Sequence, residues 1–278
     1  FISLHLAAAA PRMFSSLPPK KTARISSQAK EMSSRLTQAC YQGDLDTALA
    51  LLDMPPLVDI NLKSYVGDIK YTPLCAACAQ GHEEIVKVLL GYRDTNLNIP
   101  SDRLFKTPLI HACSGNHIEI VRLLLKKRSI DVNQLDNNLD TALNLAIRNR
   151  FTDITKQLLN DERVSQRTPG PTPFAIACAT GQLDLARKLK TMPTFNINLG
   201  NPIRCVIESK SVNENQRAEI LQFLLESEGI DVNNTQDAKM AGETPLRFAL
   251  SRKNTEVAKI LLDCERTHSE VTFWSAAN

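Results

Sequence analysis

Apolar residues recur at helical spacing in short bursts along the chain. Ile85, Val86, Val88, Leu89 and Leu90 fall on one face of a 3.6-residue period, which predicts a short amphipathic helix. Leucine pairs mark the same place in other bursts: Leu51-Leu52, Leu124-Leu125, Leu158-Leu159, Leu224-Leu225 and Leu261-Leu262, with Leu189-Lys190 as the exception. A second, smaller apolar stretch precedes each burst. It opens at Thr72-Pro73-Leu74, Thr107-Pro108-Leu109, Thr141-Ala142-Leu143, Thr172-Pro173-Phe174 and Thr244-Pro245-Leu246. Asn201-Pro202-Ile203 is a weaker copy, and Ser34-Arg35-Leu36 a degenerate first one. Successive starts lie 38, 35, 34, 31, 29 and 43 residues apart, and the last gap falls to 37 without an apparent six-residue insertion near Lys210 to Asn215.

Such a unit reads as two short helices and an extended turn. Thr caps the first helix, and Pro suits its first turn, where no intrahelical donor is needed. Ala39, Ala77, Ala112, Ala146, Ala177, Val206 and Ala249 then keep the helix slim enough for close approach by its neighbours. Gly43, Gly81 and Gly181 supply a left-handed end; Asn116, Arg150, Lys210 and Lys253 stand there in the other copies, which predicts uneven local stability. Each helix is only two or three turns and marginal alone, so stacking on neighbouring units must supply the burial. Each unit runs out through Asp59-Ile60-Asn61, Asp131-Val132-Asn133, Asn196-Ile197-Asn198 or Asp231-Val232-Asn233.

The segments Thr72-Pro73-Leu74…Gly81-His82…Val86…Leu89-Leu90 and Thr107-Pro108-Leu109…His117…Val121…Leu124-Leu125 resemble the ankyrin repeat. The resemblance covers residues 34–265 as about seven repeats, with the insertion in the sixth. It departs from the family where His usually follows the Thr by three residues: Cys75, Ile110, Asn144, Ala175, Arg204 and Arg247 stand there. The resemblance implies an all-α fold, an ankyrin-repeat solenoid of paired short antiparallel helices with protruding β-turn or hairpin loops. Residues 266–278, with Phe273 and Trp274, are expected to form a C-terminal cap or tail.

Composition separates the chain into two parts. The total of 33 Lys+Arg against 30 Asp+Glu gives +3, but residues 1–33 hold Arg12, Lys20, Lys21, Arg24 and Lys30 against Glu31 alone. The remainder is close to neutral, so residues 1–33 are expected to be a basic, disordered arm, with a targeting signal as the other reading. No nucleic-acid partner is expected for the repeats, because binding by charge needs a basic face. No apolar run approaches 18 residues, so no membrane span is expected. Seven cysteines cannot all pair, and four of them follow an Ala in apolar surroundings, which points to free thiols in a reducing, cytoplasmic compartment. Secretion into a host cell or targeting to an organelle remains compatible with the same composition.

Candidate chemistry is sparse. Cys75 and Cys78 make a C-x-x-C, but no second such pair completes a zinc set, so no metal and no cofactor are expected. His82 and His117 follow the helix-ending position, where ankyrin repeats commonly carry His. His111 is expected to be a buried, hydrogen-bonded His rather than a base, and no orienting third group supports a Cys–His nucleophile. Nucleotide-binding, metalloprotease and hydrolase motifs do not occur. No catalytic residue, and no enzyme, is expected.

What the resemblance implies instead is protein binding: a monomeric adaptor or scaffold that contacts a protein partner through its concave helix face and turn tips. The tip residues expected to touch the partner are Tyr65, Asp68, Arg103, Phe105, Asn137, Asn138 and Arg167, with Tyr65 and Phe105 foremost. Alternatives are a targeting or regulatory ankyrin region of a larger protein such as a bacterial effector, or an asparaginyl hydroxylase substrate. For the last, Asn133 and Asn233 each end an Asp-Val-Asn with a Leu eight residues earlier (Leu125 and Leu225), an arrangement that resembles hydroxylated ankyrin repeats. The same Asn is also expected to hydrogen-bond the turn between units.

Overall fold

The computed structural model describes residues 19–54, 58–101, 103–165, 167, 169–192, 195–234 and 243–264, with side chains of the first helix from residue 27 onward. Among them are fourteen helices and one two-stranded hairpin, the all-α class that the repeat pattern predicts. The chain divides into two compact units, residues 1–138 and 139–278.

The first unit contains three helix pairs: α1 (Pro19–Gln42) with α2 (Leu45–Leu52), α3 (Pro73–Gln80) with α4 (Glu83–Gly91), and α5 (Pro108–Ser114) with α6 (Ile118–Leu125). Between the first two pairs stands the hairpin β1 (Ser64–Val66) and β2 (Ile69–Tyr71), antiparallel with Tyr65 opposite Lys70. First helices pack on first helices, α1 on α3 and α3 on α5, while α1 also meets β1. The second unit repeats the plan with α7 (Ala142–Arg148) and α8 (Thr152–Leu159), α9 (Pro173–Ala179) and α10 (Leu183–Lys190), α11 (Pro202–Glu208) and α12 (Glu214–Leu225), and α13 (Pro245–Ser251) and α14 (Thr255–Leu262). Here α9 packs between α7 and α11, and α11 meets α13.

Local chemistry explains these elements. The hydroxyls of Thr72, Thr107, Thr141, Thr172 and Thr244 accept the backbone N–H three residues on, at 3.1–3.4 Å, and Asn201 does so through its amide oxygen at 3.2 Å. Such caps satisfy donors that the first helical turn leaves open. Leu74, Ala77 and Cys78 and their counterparts Leu109, Ala112 and Cys113 are buried, and all seven cysteines are free thiols. Burial pushes the Cys40 thiol up to about 12 and Cys75 up to about 11, and raises Cys78, Cys113 and Cys178 likewise, so these sulfurs behave as small apolar groups.

Two features depart from the sequence reading. The boundary expected at residue 33 falls inside a continuous α1, so residues 19–33 are helical where a disordered arm is expected; residues 1–18 lie outside the described residues. Ser34 therefore caps nothing. Its neighbour Ser33, buried, instead accepts the N–H of Asp59 at 2.8 Å and donates to the Ala29 carbonyl. The left-handed helix end also survives without Gly: Asn116, Arg150 and Lys253 hold φ of 59°, 60° and 57°, against 75–80° at Gly43, Gly81 and Gly181. Each non-Gly copy costs about 1 kcal/mol for the crowded Cβ.

At Gly43 and Gly81 the missing side chain has a second use. A Cβ there would lie 2.5 Å from the ring of His82 or His117, the His of the following repeat. The His82 ring, seated in that space, hydrogen-bonds the Tyr41 carbonyl at 3.0 Å. In the second unit Gln182 takes this place and donates to the Ile147 carbonyl at 2.7 Å.

The inserted residues of the sixth repeat lie between its two helices. They form the loop 209–213 and lengthen α12 to 12 residues, against 8 or 9 in the other second helices. Asn213 and Gln216 make a reciprocal capping box, buried Val212 anchors the loop, and Arg217 donates to the Ser209 carbonyl at 2.8 Å. Among the described residues no helix is long and apolar enough to cross a membrane. The segment 266–278, expected as cap or tail, lies outside the described residues.

Candidate partner-binding surface

The turn tips rest on an amide clamp at their base. Asn61 donates from its side chain to the Asp94 carbonyl at 2.7 Å and accepts the Asn96 N–H at 2.8 Å. Asn98 repeats this with the Ser129 carbonyl and the Asp131 N–H, both at 2.8 Å; Asn198 does so with the Gly229 carbonyl and the Asp231 N–H at 2.8 and 2.7 Å. Each side chain thereby fastens its turn to the next. Asn133 and Asn233, the residues that resemble hydroxylation targets, occupy the same place. Both are half-buried, and their N–H groups donate to Asp131 and Asp231 at 3.0 Å.

Above this base the hairpin turns through Gly67 and Asp68, with Gly67 at φ 61°. Alternation along the strands sends Ser64 and Tyr71 inward and Tyr65 outward. Tyr65 is 66% exposed, with the Lys70 ammonium 4.8 Å from its ring centre, a cation–π contact that steadies the ring without covering it. Asp68 is exposed at the tip. Inside, Tyr71 bridges Tyr41 and His111, with ring centres 5.8 and 5.4 Å away.

The next tip carries Arg103, Leu104 and Phe105. Its loop closes where the Ser101 N–H donates to the Lys106 carbonyl at 2.8 Å. The Cys75 thiol holds the Ile99 carbonyl at 3.2 Å, and the Ser101 hydroxyl shares a 2.9 Å hydrogen bond with Nε2 of His111. From the following turn, the Asn137 N–H donates to the Leu104 carbonyl at 3.2 Å, and its side-chain amide donates to the Arg103 carbonyl. Arg103 and Phe105 stand at φ 60° and 51°, conformations that a side chain disfavours and that persist only where the surroundings impose them. The result is a pinned loop that turns Phe105 (56% exposed) and Leu104 (42% exposed) to solvent.

Six of the seven expected partner contacts thus lie in the first unit, and Arg103 and Asn137 are in direct contact. Asn137 is exposed, but its amide is engaged in holding the loop. Asn138, also exposed, donates its N–H to buried Asp136 at 2.8 Å. Arg167 is exposed in the second unit, where it lines a cleft with Phe195, Ile197 and Glu228. Sequence reasoning passed over Leu104, because leucine is the commonest core residue of the repeat; its place between Arg103 and Phe105 was the one available signal. Leu139, 44% exposed with φ 62°, was passed over for the same reason.

His111 is buried, as expected, and serves the tip from beneath. Burial first, then nearby Lys106, push its pKa down to about 3, so it is neutral at pH 7 and acts as a hydrogen-bonding post. Cys75 and Cys78 are both buried, and among the described residues no group of three or more His, Cys, Asp or Glu is placed to hold a metal ion.

Comparison with known proteins agrees with the geometry. A family model described as ankyrin repeats (3 copies) matches residues 36–136, and one described as ankyrin repeats (many copies) matches residues 214–262. No curated protein matches the chain. Ankyrin repeats are in general protein–protein interaction modules and typically non-catalytic. The two matches together span just over half of the sequence, the capped helix pairs and clamped turns recur on both sides of residue 138, and the chain belongs to the ankyrin repeat family.

Proposed function

We propose that this chain is a non-catalytic adaptor or scaffold that holds a partner protein on the turn tips of its first unit and the adjoining first-helix surface. The observation that carries this reading is the loop of Arg103, Leu104 and Phe105. Four separate contacts hold it in a disfavoured backbone geometry that leaves Leu104 and Phe105 among the exposed large apolar side chains of the chain. Tyr65 and Phe105 supply aromatic anchors, and Arg103 a charged one, the residue types enriched among interface hot spots. Because the loop is already fixed, association forfeits little conformational freedom. The buried free thiols suit a reducing compartment such as the cytoplasm, with the chain acting as a monomer.

The test begins with crosslinking and purification of a partner from the native cell type. Its affinity is then measured for the wild-type chain and for the Tyr65→Ala/Phe105→Ala variant. The expected outcome is weakening of roughly tenfold to a hundredfold, with an unchanged circular dichroism spectrum. Equal affinities would place the interface elsewhere.

A further inference from the structure

A second surface, independent of Tyr65 and Phe105, lies in the other unit. Arg167, which precedes α9, the turn of Phe195, Asn196, Ile197 and Asn198, and the turn of Glu228 and Gly229 line a cleft of about 460 Å³. That volume falls within the range of sites that take small ligands or single peptide segments.

The floor and walls are fixed. Phe195 meets buried Phe174 edge to face, with ring centres 4.9 Å apart, and Ile197 is 7% exposed. Asn198 ties the two turns together through the Gly229 carbonyl and the Asp231 N–H, and its own N–H is held by Asn196 at 3.0 Å. The charges are of a different kind. Both Arg167 and Glu228 are exposed, and neither enters an ion pair among the described residues. In the same unit Arg148 pairs with Asp140 at 2.9 Å, Arg163 with Asp161 at 2.6 Å, and Arg204 with Glu208 at 2.8 Å.

A largely polar cleft with an apolar patch at Phe195 and Ile197 and two uncommitted charges of opposite sign selects against simple ions. An anion that meets Arg167 is repelled by Glu228, and a cation that meets Glu228 is repelled by Arg167. A ligand carrying both charges on either side of an apolar group gains from all three features. An extended chain can present such groups side by side, since it advances about 3.3 Å per residue and turns alternate side chains to one face. We propose that the Arg167–Glu228 cleft binds an extended segment of a partner protein in which an acidic and a basic side chain flank an aliphatic one, the acidic group at Arg167, the aliphatic group over Phe195 and Ile197, and the basic group at Glu228.

The experiment is a titration of the ¹⁵N-labelled full chain, read by amide shifts, with the end-blocked peptide Asp-Ala-Leu-Ala-Lys and its reversed order Lys-Ala-Leu-Ala-Asp. The expected result is saturable shifts at residues 167, 195–198 and 228–229, with one order binding more tightly. The uncharged control Asn-Ala-Leu-Ala-Gln binds more weakly. Arg167→Gln and Glu228→Gln each weaken the preferred peptide by about fivefold or less, the upper reach of an exposed ion pair. The double exchange Arg167→Glu/Glu228→Arg inverts the order preference, a readout that simple loss of structure does not produce. Equal binding of the uncharged control, shifts confined to other residues, or an order preference unmoved by the double exchange overturns the proposal.

Discussion

His111 makes the sharpest quantitative prediction, because its ring is neutral and buried beneath the tip it supports. In the unfolded chain an imidazole binds its proton near pH 6.5, whereas in the folded chain burial and Lys106 lower this to about 3. The folded state therefore refuses a proton that the unfolded state accepts. Stability is fully present above the unfolded value and is lost as pH falls below it, until the folded group itself titrates. Between pH 7 and pH 5 the linkage relation gives a loss of about 2 kcal/mol from this residue alone. Carboxylates titrate over part of the same range, so the informative quantity is a difference between proteins. His111→Gln keeps a polar side chain that can hydrogen-bond, while the titrating group is gone. Urea unfolding at pH 7 and pH 5, followed by circular dichroism, is expected to show wild type losing about 2 kcal/mol more than the variant over this interval. That difference stands even if His111→Gln is less stable at both pH values. Parallel losses in the two proteins, or a His111 ring that titrates near pH 6 in the folded state by NMR, would refute the argument.

Three further outcomes follow from the packing. Gly81→Ala places a Cβ in the left-handed region and 2.5 Å from the His117 ring, so urea unfolding should show a loss of about 2 kcal/mol or more; an unchanged midpoint would mean that the ring moves aside freely. Asn98→Ala removes two bonds to the following turn; a loss of about 1–2 kcal/mol is expected, with faster hydrogen exchange at Asp131, and an unchanged Asp131 rate would sink the clamp. At pH 8 a thiol reagent should modify half-buried Cys205 and Cys264 first. Cys40, Cys75, Cys78, Cys113 and Cys178 should react only on unfolding, since burial holds them protonated and covered; fast labelling of all seven would contradict the packed interior.

Much of the fold was legible because it is written in local signals. The Thr caps, the first-turn prolines and the Leu pairs each state a helix boundary or a buried face within a few residues. The left-handed ends at Asn116, Arg150 and Lys253 were hidden, because tertiary packing imposes that turn whatever the residue there. The helical stretch before residue 33 was hidden for a related reason: its polar sequence reads as a solvated arm, and part of what fixes α1 is the contact with a hairpin thirty residues on. The tips were legible as exposed turns at Tyr65 and Phe105, but not the pinning of Phe105 from Asn137 and His111. Arg167 was legible as a turn-tip residue, but the cleft it lines was not. Its walls come from three separate turns, and nothing local to any one of them announces the others.

The asparagine clamps have a mechanical consequence. Within each unit a clamp couples one turn to its neighbour through a single side chain, so an opened turn releases one amide and one carbonyl of the adjacent turn. Along Asn61 and Asn98 these small bonds lie in series, beside the packing that joins α1 to α3 and α3 to α5. Where each repeat touches only its neighbours, an end repeat that opens leaves the remaining clamps in place.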